Sequence, residues 1–275
     1  MTSPSYADLL VDAPAGRHFA QLHKDSRALA DAVHLFVEMG LRRGDAVIVV
    51  APADRTALYL ERLDKKDQES WQRLGQLQLM DSQAMLNRFM QGDLPEWNEF
   101  RTTVSAVIEK AKLHGGENIR VYGELVNDLW RAGNPAAAIR LEEYWNKLAH
   151  LYRFCLFCGY QMDSLEEQTY AAPLAEIGRT HSDILLSVED EQFYGALDSA
   201  SHDVLGIPLS RVMSCNECDE TTGEHRLSKG HQIMLWMQKN MPAEIPKILK
   251  RARQIYAEER GATPLVTQNS NAARA

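Results

Sequence analysis

Residues 118–160 read NIRVYGELVNDLWRAGNPAAAIRLEEYWNKLAHLYRFCLFCGY, and this stretch decides the fold class. Residues 119–122 (IRVY) are rich in β-favouring side chains and predict a strand. A polar turn is expected next. From Pro135 to Leu151, the residues Ala138, Leu141, Tyr144, Trp145 and Leu148 recur at helical spacing, with Arg140, Glu143 and Lys147 elsewhere on the wheel. Asn134 is placed to cap that helix, and Pro135 suits its first turn. Residues 154–157 (FCLF) predict a second strand. Strand and helix alternating in this way imply parallel pairing, and ligands of open parallel sheets sit at the carboxyl ends of the strands. Glu124 and the triplet Cys158-Gly159-Tyr160 are expected at such ends.

The alternation continues outward. Residues 18–22 read as a first strand. Ser26 is placed to cap a helix carrying Leu29, Val33, Phe36 and Val37, which Gly40 and Gly44 are expected to end. Residues 46–51 (AVIVVA) are an unbroken apolar run, the composition of a strand covered on both faces. Pro52 closes it; residues 54–63 read as helix and 64–73 as a polar segment. Residues 76–80 predict a third strand, and 83–90 and 95–113 two helices separated by Gly92 and Pro95 and stopped by Gly115-Gly116. The fold class expected is therefore α/β, an open and mostly parallel sheet flanked by helices in a three-layer sandwich. Residues 187–230 are polar and weakly periodic, and 232–240 and 243–260 predict two helices. The expected plan is a flexible lead-in over 1–17, an α/β domain over 18–186, a mostly helical extension over 187–262 and a disordered tail over 263–275.

Composition narrows the class. The chain has 275 residues, 45% apolar and 25% charged, with a net charge of −8. An acidic balance argues against a broad nucleic-acid or anionic-membrane surface. No apolar run approaches the ~20 residues of a membrane span. The N-terminus lacks the basic-then-apolar pattern of a secretory signal, and the four cysteines form two Cys-x-x-Cys pairs, so reduced thiols in a cytoplasmic setting are expected.

Several blocks, in order, resemble the MEDS family, the sensory domain of methanogens, methylotrophs and the DcmR regulator. They are HFAQLH, FVEMGLRRGDAVIVVAP, GQLQLMDSQAMLNRFMQGDLPEWNEF, IRVYGELVNDLWRAGNPAAAIRLEEYWNKL and FCLFCGY, and the likeness runs from about His18 to His181. The resemblance implies a degenerate relative of the RecA/KaiC ATPase core that senses small organic ligands. It also makes His18, Cys158, His181 and Trp130 candidate ligand-binding residues.

The residues themselves carry no catalytic motif. A phosphate-gripping loop needs glycines, a lysine and a Ser/Thr. The loop after the 46–51 strand is Pro52-Ala53-Asp54-Arg55-Thr56, and no Gly-Lys pair occurs in the chain. Glu124 stands where such ATPases carry a metal-associated acid; without the loop it is expected to bind a polar ligand group or anchor the following turn. Cys155 and Cys158 lie three apart, which in a strand points them to opposite faces. Cys155 then reads as a small buried side chain, while Cys158 and Tyr160, two apart, share a face. His18, Cys158 and His181 are ligand types suited to zinc or another transition metal. A second group, Cys215, Cys218, His225 and His231, has a C-x2-C-x6-H-x5-H spacing that fits known zinc modules poorly. Residues 200–214 faintly resemble a helix-turn-helix with Gly206 at its turn, but Arg211 is its one basic residue.

The function expected is a non-catalytic sensor. It would bind a small organic ligand near His18, Glu124, Trp130, Cys158, Tyr160 and His181 at the carboxyl edge of the sheet. It would signal to a separate histidine kinase, response regulator or transcription factor. No cofactor is expected; the alternatives are a nucleotide-binding ATPase-like switch and a metal- or thiol-dependent transcriptional regulator.

Overall fold

The computed structural model describes residues 8–24, 26–113, 118–171, 174–213 and 224–262. Six strands form one parallel sheet, in the order β3-β2-β6-β7-β1-β8. They are β1 (His18–His23), β2 (Ala46–Val50), β3 (Leu77–Met80), β6 (Ile119–Gly123), β7 (Cys155–Gln161) and β8 (Asp183–Leu185). Between β3 and β6, β4 (Met90–Gln91) and β5 (Leu94–Pro95) make a separate two-stranded hairpin.

The four central strands β2, β6, β7 and β1 are buried along almost their whole length because each face of the sheet carries its own core. Side chains alternate between those faces. On one side Phe19, Val47, Val49, Tyr122, Cys155 and Phe157 meet α1 (Ser26–Arg43) and α2 (Ala53–Leu60). The Phe19 and Phe157 rings stack at 4.8 Å across neighbouring strands. A short exposed helix, α3 (Lys65–Arg73), leads from there to β3. On the other side Ala20, Leu22, Ile48, Val121, Leu156, Cys158 and Tyr160 meet α4 (Ser82–Phe89), α5 (Trp97–Lys112), α6 (Leu125–Arg131) and α7 (Pro135–Leu151).

After β7 come α8 (Gln168–Ala171) and α9 (Leu174–Thr180), and after β8 a helical layer: α10 (Val188–Leu205), α11 (Leu209–Met213), α12 (Lys229–Asn240) and α13 (Ile245–Ala262). Phe193, Leu197, Met234, Ile248 and Leu249 join the second core, so these C-terminal helices pack onto the α/β body. The expected open parallel sheet with flanking helices and a helical C-terminus is what the chain forms.

Several local expectations are corrected. The lead-in over 1–17 is not flexible from Asp8 onward. Asp8–Asp12 is a helical turn with Leu9 and Leu10 buried, and Arg120, 1% exposed, donates to the Leu10 and Val11 carbonyls at 2.9 Å. The polar turn after β6 is instead α6, whose Leu125, Val126 and Leu129 make a buried stripe. The polar segment 64–73 contains α3, capped by Asp64 and with no buried residue, so it lacks the apolar periodicity that marks most helices. The weakly periodic start of the extension is α10, closed by a Ser187–Asp190 capping box at one end and by Gly206 (φ 77°) at the other. Its buried face, Phe193, Ala196, Leu197, Ala200 and Ser201, carries two large apolar side chains among small ones, which blurs the pattern. β7 runs four residues beyond the expected end at 157. Residues 1–7, Gly115, Gly116 and the tail over 263–275 lie outside the described residues, as does the Ser26 side chain.

Gly40 does not end α1, which continues to Arg43; only Gly44 (φ 85°) ends it. Gly40 is instead a site of close approach. A Cβ there would stand 2.6 Å from Arg120 Cδ and 3.0 Å from Val47 Cγ2. Arg120 cannot move aside, since Asp45 accepts from its Nε at 2.7 Å and three carbonyls hold its terminal nitrogens. Helix propensity alone favours alanine over glycine by about 1 kcal/mol. The clash reverses that sign: Gly40→Ala is expected to lose about 1–3 kcal/mol in urea unfolding, and an unchanged or raised midpoint would refute the locked arginine.

Candidate functional site

The residues singled out by sequence fall into two groups rather than one. The first is centred on Glu142, which α7 projects toward the sheet from its buried face. Its carboxylate is 0% exposed and meets side chains from two strands and a loop. His18 Nε2, from the first residue of β1, lies 3.1 Å from Oε2. His181 Nε2, from the turn between α9 and β8, lies 3.3 Å from Oε1. Tyr160 of β7 donates its hydroxyl to Oε1 at 2.5 Å. Cys158 Sγ stands 3.4 Å from His18 Nε2 and 3.9 Å from Glu142 Oε2. One donor atom from each of His18, Glu142, Cys158 and His181 lies within 4.8 Å of all the others, and all four residues are buried. Among the described residues, these are the ones placed to hold a metal ion.

The expected face-sharing of Cys158 and Tyr160 holds, and Cys155 lies on the opposite face, buried, with its thiol pushed up to about 12. Trp130 on α6 packs edge-on against Tyr160 at 5.6 Å and walls the cluster. Burial, reinforced by Glu142, raises the Cys158 and Tyr160 groups well above their ordinary values. Burial and the neighbouring His181 lower His18. Burial alone would raise Glu142, but His181 and His18 together hold it below the usual carboxylate range.

This cluster is not at the carboxyl edge, where the sequence reading places it. His18 opens β1, Cys158 lies mid-strand in register with Ala20 and Gly123, and His181 precedes β8. The reason is the extra length of β7, which draws Cys158 into the sheet. Glu142 itself was missed. Its signal was present: it falls one turn from Ala138 and beside Leu141 and Trp145, an acid on an apolar face.

The second group lies at the true carboxyl edge. Glu124 follows β6, 1% exposed, and its carboxylate is taken up within the protein. The hydroxyls of Tyr59 and Tyr122 donate to Oε1, and Arg55 Nε stands 2.6 Å from Oε2. Arg55 also holds Asp128 at 2.7 Å, and Ser82 donates to the same carboxylate at 2.5 Å. Beside this network is an open cleft of about 430 Å³, lined by Pro52, Asp81, Ser82, Gln83, Asp128 and Arg131. It opens where β2 leads outward to β3 while β6 leads the other way to β7, a topological switch point of the kind that receives ligands in open α/β sheets. The other switch point, between β7 and β1, is roofed by Asp190 and Phe193 of α10 and Tyr256 of α13, leaving about 30 Å³.

Of the second candidate metal group, Cys215 and Cys218 lie outside the described residues. His231 is 0% exposed inside α12, bonded to Ser228 at 2.6 Å and Ser164 at 3.0 Å, with Asp190 3.7 Å away. His225 is exposed. In the helix-turn-helix candidate, α11 has five residues and buries Leu209.

The family model of the MEDS domain, the methanogen/methylotroph and DcmR sensory domain, matches residues 17–182. The chain belongs to the MEDS family. It thus carries a sensory domain over most of the α/β body, and His18, Glu124, Cys158 and His181 all lie within the matched span. Comparison with curated proteins finds no match. A solved structure described as a prototypical ATPase from the type III secretion system of pathogenic bacteria aligns with a TM-score of 0.36 and 10% identity, covering 92% of this chain and 83% of the other. No helix among the described residues is long and apolar enough to cross a membrane.

The edge network yields a test. Arg55 sets its charge against two acids, and burial already raises Glu124 above its ordinary 4.5. A carboxyl held higher in the folded state than in the unfolded one loses stability for the protein as pH rises through that window. Arg55→Met removes the cation and extends the window upward. It is expected to cost about 3–5 kcal/mol at pH 8 and clearly less at pH 5, where Glu124 can take a proton. Urea unfolding at both pH values checks this; a loss independent of pH would show that Arg55 acts by packing alone.

Proposed function

We propose that this chain is a non-enzymatic sensor in which the open cleft at the carboxyl ends of β2, β3 and β6 takes a small polar organic molecule. The observation that carries the reading is the disposition of charge around the cleft. Two carboxylates, Asp81 and Asp128, face it with one guanidinium, Arg131. That lining suits hydroxyl or amine donors; Asp128 is already held by Arg55, and a polyphosphate would meet Arg131 with Asp81 beside it and no lysine in the lining. The acid at the ATPase position, Glu124, is bound to Tyr59, Tyr122 and Arg55. It anchors α2 to the sheet and offers no base to a water in the cleft.

Occupancy of the cleft would bias the relative placement of α2, α4 and α6, the helices whose ends frame it. A ligand shifts such an equilibrium by its difference in affinity for the two placements. The output passes to a separate histidine kinase, response regulator or transcription factor.

Thermal denaturation against a panel of small polyols, amines and carboxylic acids, with ATP–magnesium alongside, tests the reading. A polyol or amine is expected to raise Tm saturably, by roughly 5 °C at 100-fold its Kd. Gln83→Ala, an exposed change in the cleft wall, should weaken that response without lowering the ligand-free Tm. Saturable stabilisation by ATP–magnesium that Glu124→Gln abolishes would replace the sensor with a nucleotide switch. No response to any polyol or amine would refute the cleft as the ligand site.

A further inference from the structure

The buried cluster around Glu142 poses a problem of protons. Asn146 donates its amide to the Thr180 carbonyl at 2.8 Å, which turns its own oxygen toward His18 Nδ1, also at 2.8 Å. An oxygen only accepts, so His18 Nδ1 carries the hydrogen. His181 Nδ1 lies 2.7 Å from the Ile177 carbonyl and carries one for the same reason. In neutral rings both Nε2 atoms are then bare lone pairs, and both face the Glu142 carboxylate, which also only accepts. His181 Nε2 indeed makes no hydrogen bond.

One added proton on His181 satisfies that histidine and leaves His18 Nε2 facing the carboxylate with the weak Cys158 S–H donor, 3.4 Å away, as its partner. Two added protons place two cations with ring centroids 4.1 Å apart, out of water, beside one carboxylate. A single divalent cation satisfies all the acceptors together. We propose that His18 Nε2, His181 Nε2, Cys158 Sγ and a Glu142 oxygen form a closed four-donor site for one divalent transition metal, zinc first among them.

Three features fit that occupant. With bonds of about 2.0–2.3 Å, a tetrahedral ion holds its ligands about 3.3–3.8 Å apart; the contacts to the two Glu142 oxygens and between His18 and Cys158 run from 3.1 to 3.9 Å, and the whole donor set lies within 4.8 Å, so the widest pairs draw together by about 1 Å on an ion. The charges close. The Cys158 thiol releases one proton as its sulfur bonds the metal, and thiolate, carboxylate, two neutral imidazoles and the dication sum to zero in a site with no water to screen it. The outer partners are in place: Asn146 and the Ile177 carbonyl fix the two rings through their Nδ1 hydrogens, and Tyr160 steadies the carboxylate. Four buried protein donors make a site of the closed, structural kind rather than one with an open catalytic position. It would clasp β1, β7, α7 and the α9–β8 turn. It lies away from the edge cleft, so either proposal can fail alone.

The full-length chain, purified without a metal-binding tag, should contain about one equivalent of zinc. Chelation should lower Tm by roughly 5–10 °C, and zinc or cobalt should restore it. The cobalt form should show strong tetrahedral visible bands and a thiolate charge-transfer band. Cys158→Ser should lose the charge-transfer band, while Cys155→Ser and the double change Cys215→Ser with Cys218→Ser should keep it. The wild-type titration stands even where a variant fails to fold. Failure of the chelated protein to take up micromolar cobalt or zinc would overturn the site. So would a cobalt complex without the thiolate band, or a band that follows Cys215 and Cys218.

Discussion

A charge removed from water inside a sheet covered on both faces must be met by counter-charge or hydrogen bonds, and this chain buries three such charges within one stretch. Arg120, Glu124 and Glu142 all fall between residues 118 and 160, and each is at most 1% exposed. Each therefore dictates where other segments go. Arg120 draws in Asp45 and the carbonyls of Leu10, Val11 and Phe36, so the first helical turn and α1 are tied to the middle of the sheet. Glu124 gathers Arg55 and Tyr59 from α2. Glu142 gathers His18, Tyr160 and His181 from three places in the sequence. Removal of any one partner would strand a charge, which costs far more than the pair contributes.

The parallel sheet was legible because its strands are runs of β-branched and aromatic residues and its best helix, Pro135–Leu151, carries both a cap and a stripe. The same local rules explain what escaped. Periodicity sees only helices with an apolar face, so the exposed α3 passed unnoticed, and α10, with two large apolar side chains on its buried face, read as polar. Gly40 looked like a helix end because a single sequence does not reveal the arginine that comes against it from eighty residues away.

The site was half legible for a related reason. The side chains suited to metal or ligand binding were recognisable by type, and His18, Cys158, Tyr160 and His181 do converge. Their meeting point, Glu142, was hidden by its neighbour: Glu143 sits on the solvent side, and an acid beside an acid reads as part of an exposed face. Position failed where element length failed. With β7 ending at 157, Cys158 belongs to an edge; with β7 reaching Gln161, it belongs to the interior. A boundary error of four residues moved a candidate site from the rim of the sheet to one of its faces.

The placement of His181 has a mechanical consequence. Its neighbour Ser182 donates both its amide and its hydroxyl to the His18 carbonyl, so the turn that carries one histidine is hydrogen-bonded to the residue that carries the other. β8 follows at once, then the capping box of Ser187 and Asp190 that starts α10. On the other side of the turn, Arg226 reaches from just before α12 to the Gly178 carbonyl in α9. The turn that carries His181 is thus tied, through three residues of strand and one arginine, to the starts of α10 and α12. Of the C-terminal layer, α10 and α13 line the β7–β1 crevice, while the cleft beside β2 and β6 is open. The fold thereby separates the open cleft beside Asp81 and Asp128 from the buried cluster around Glu142.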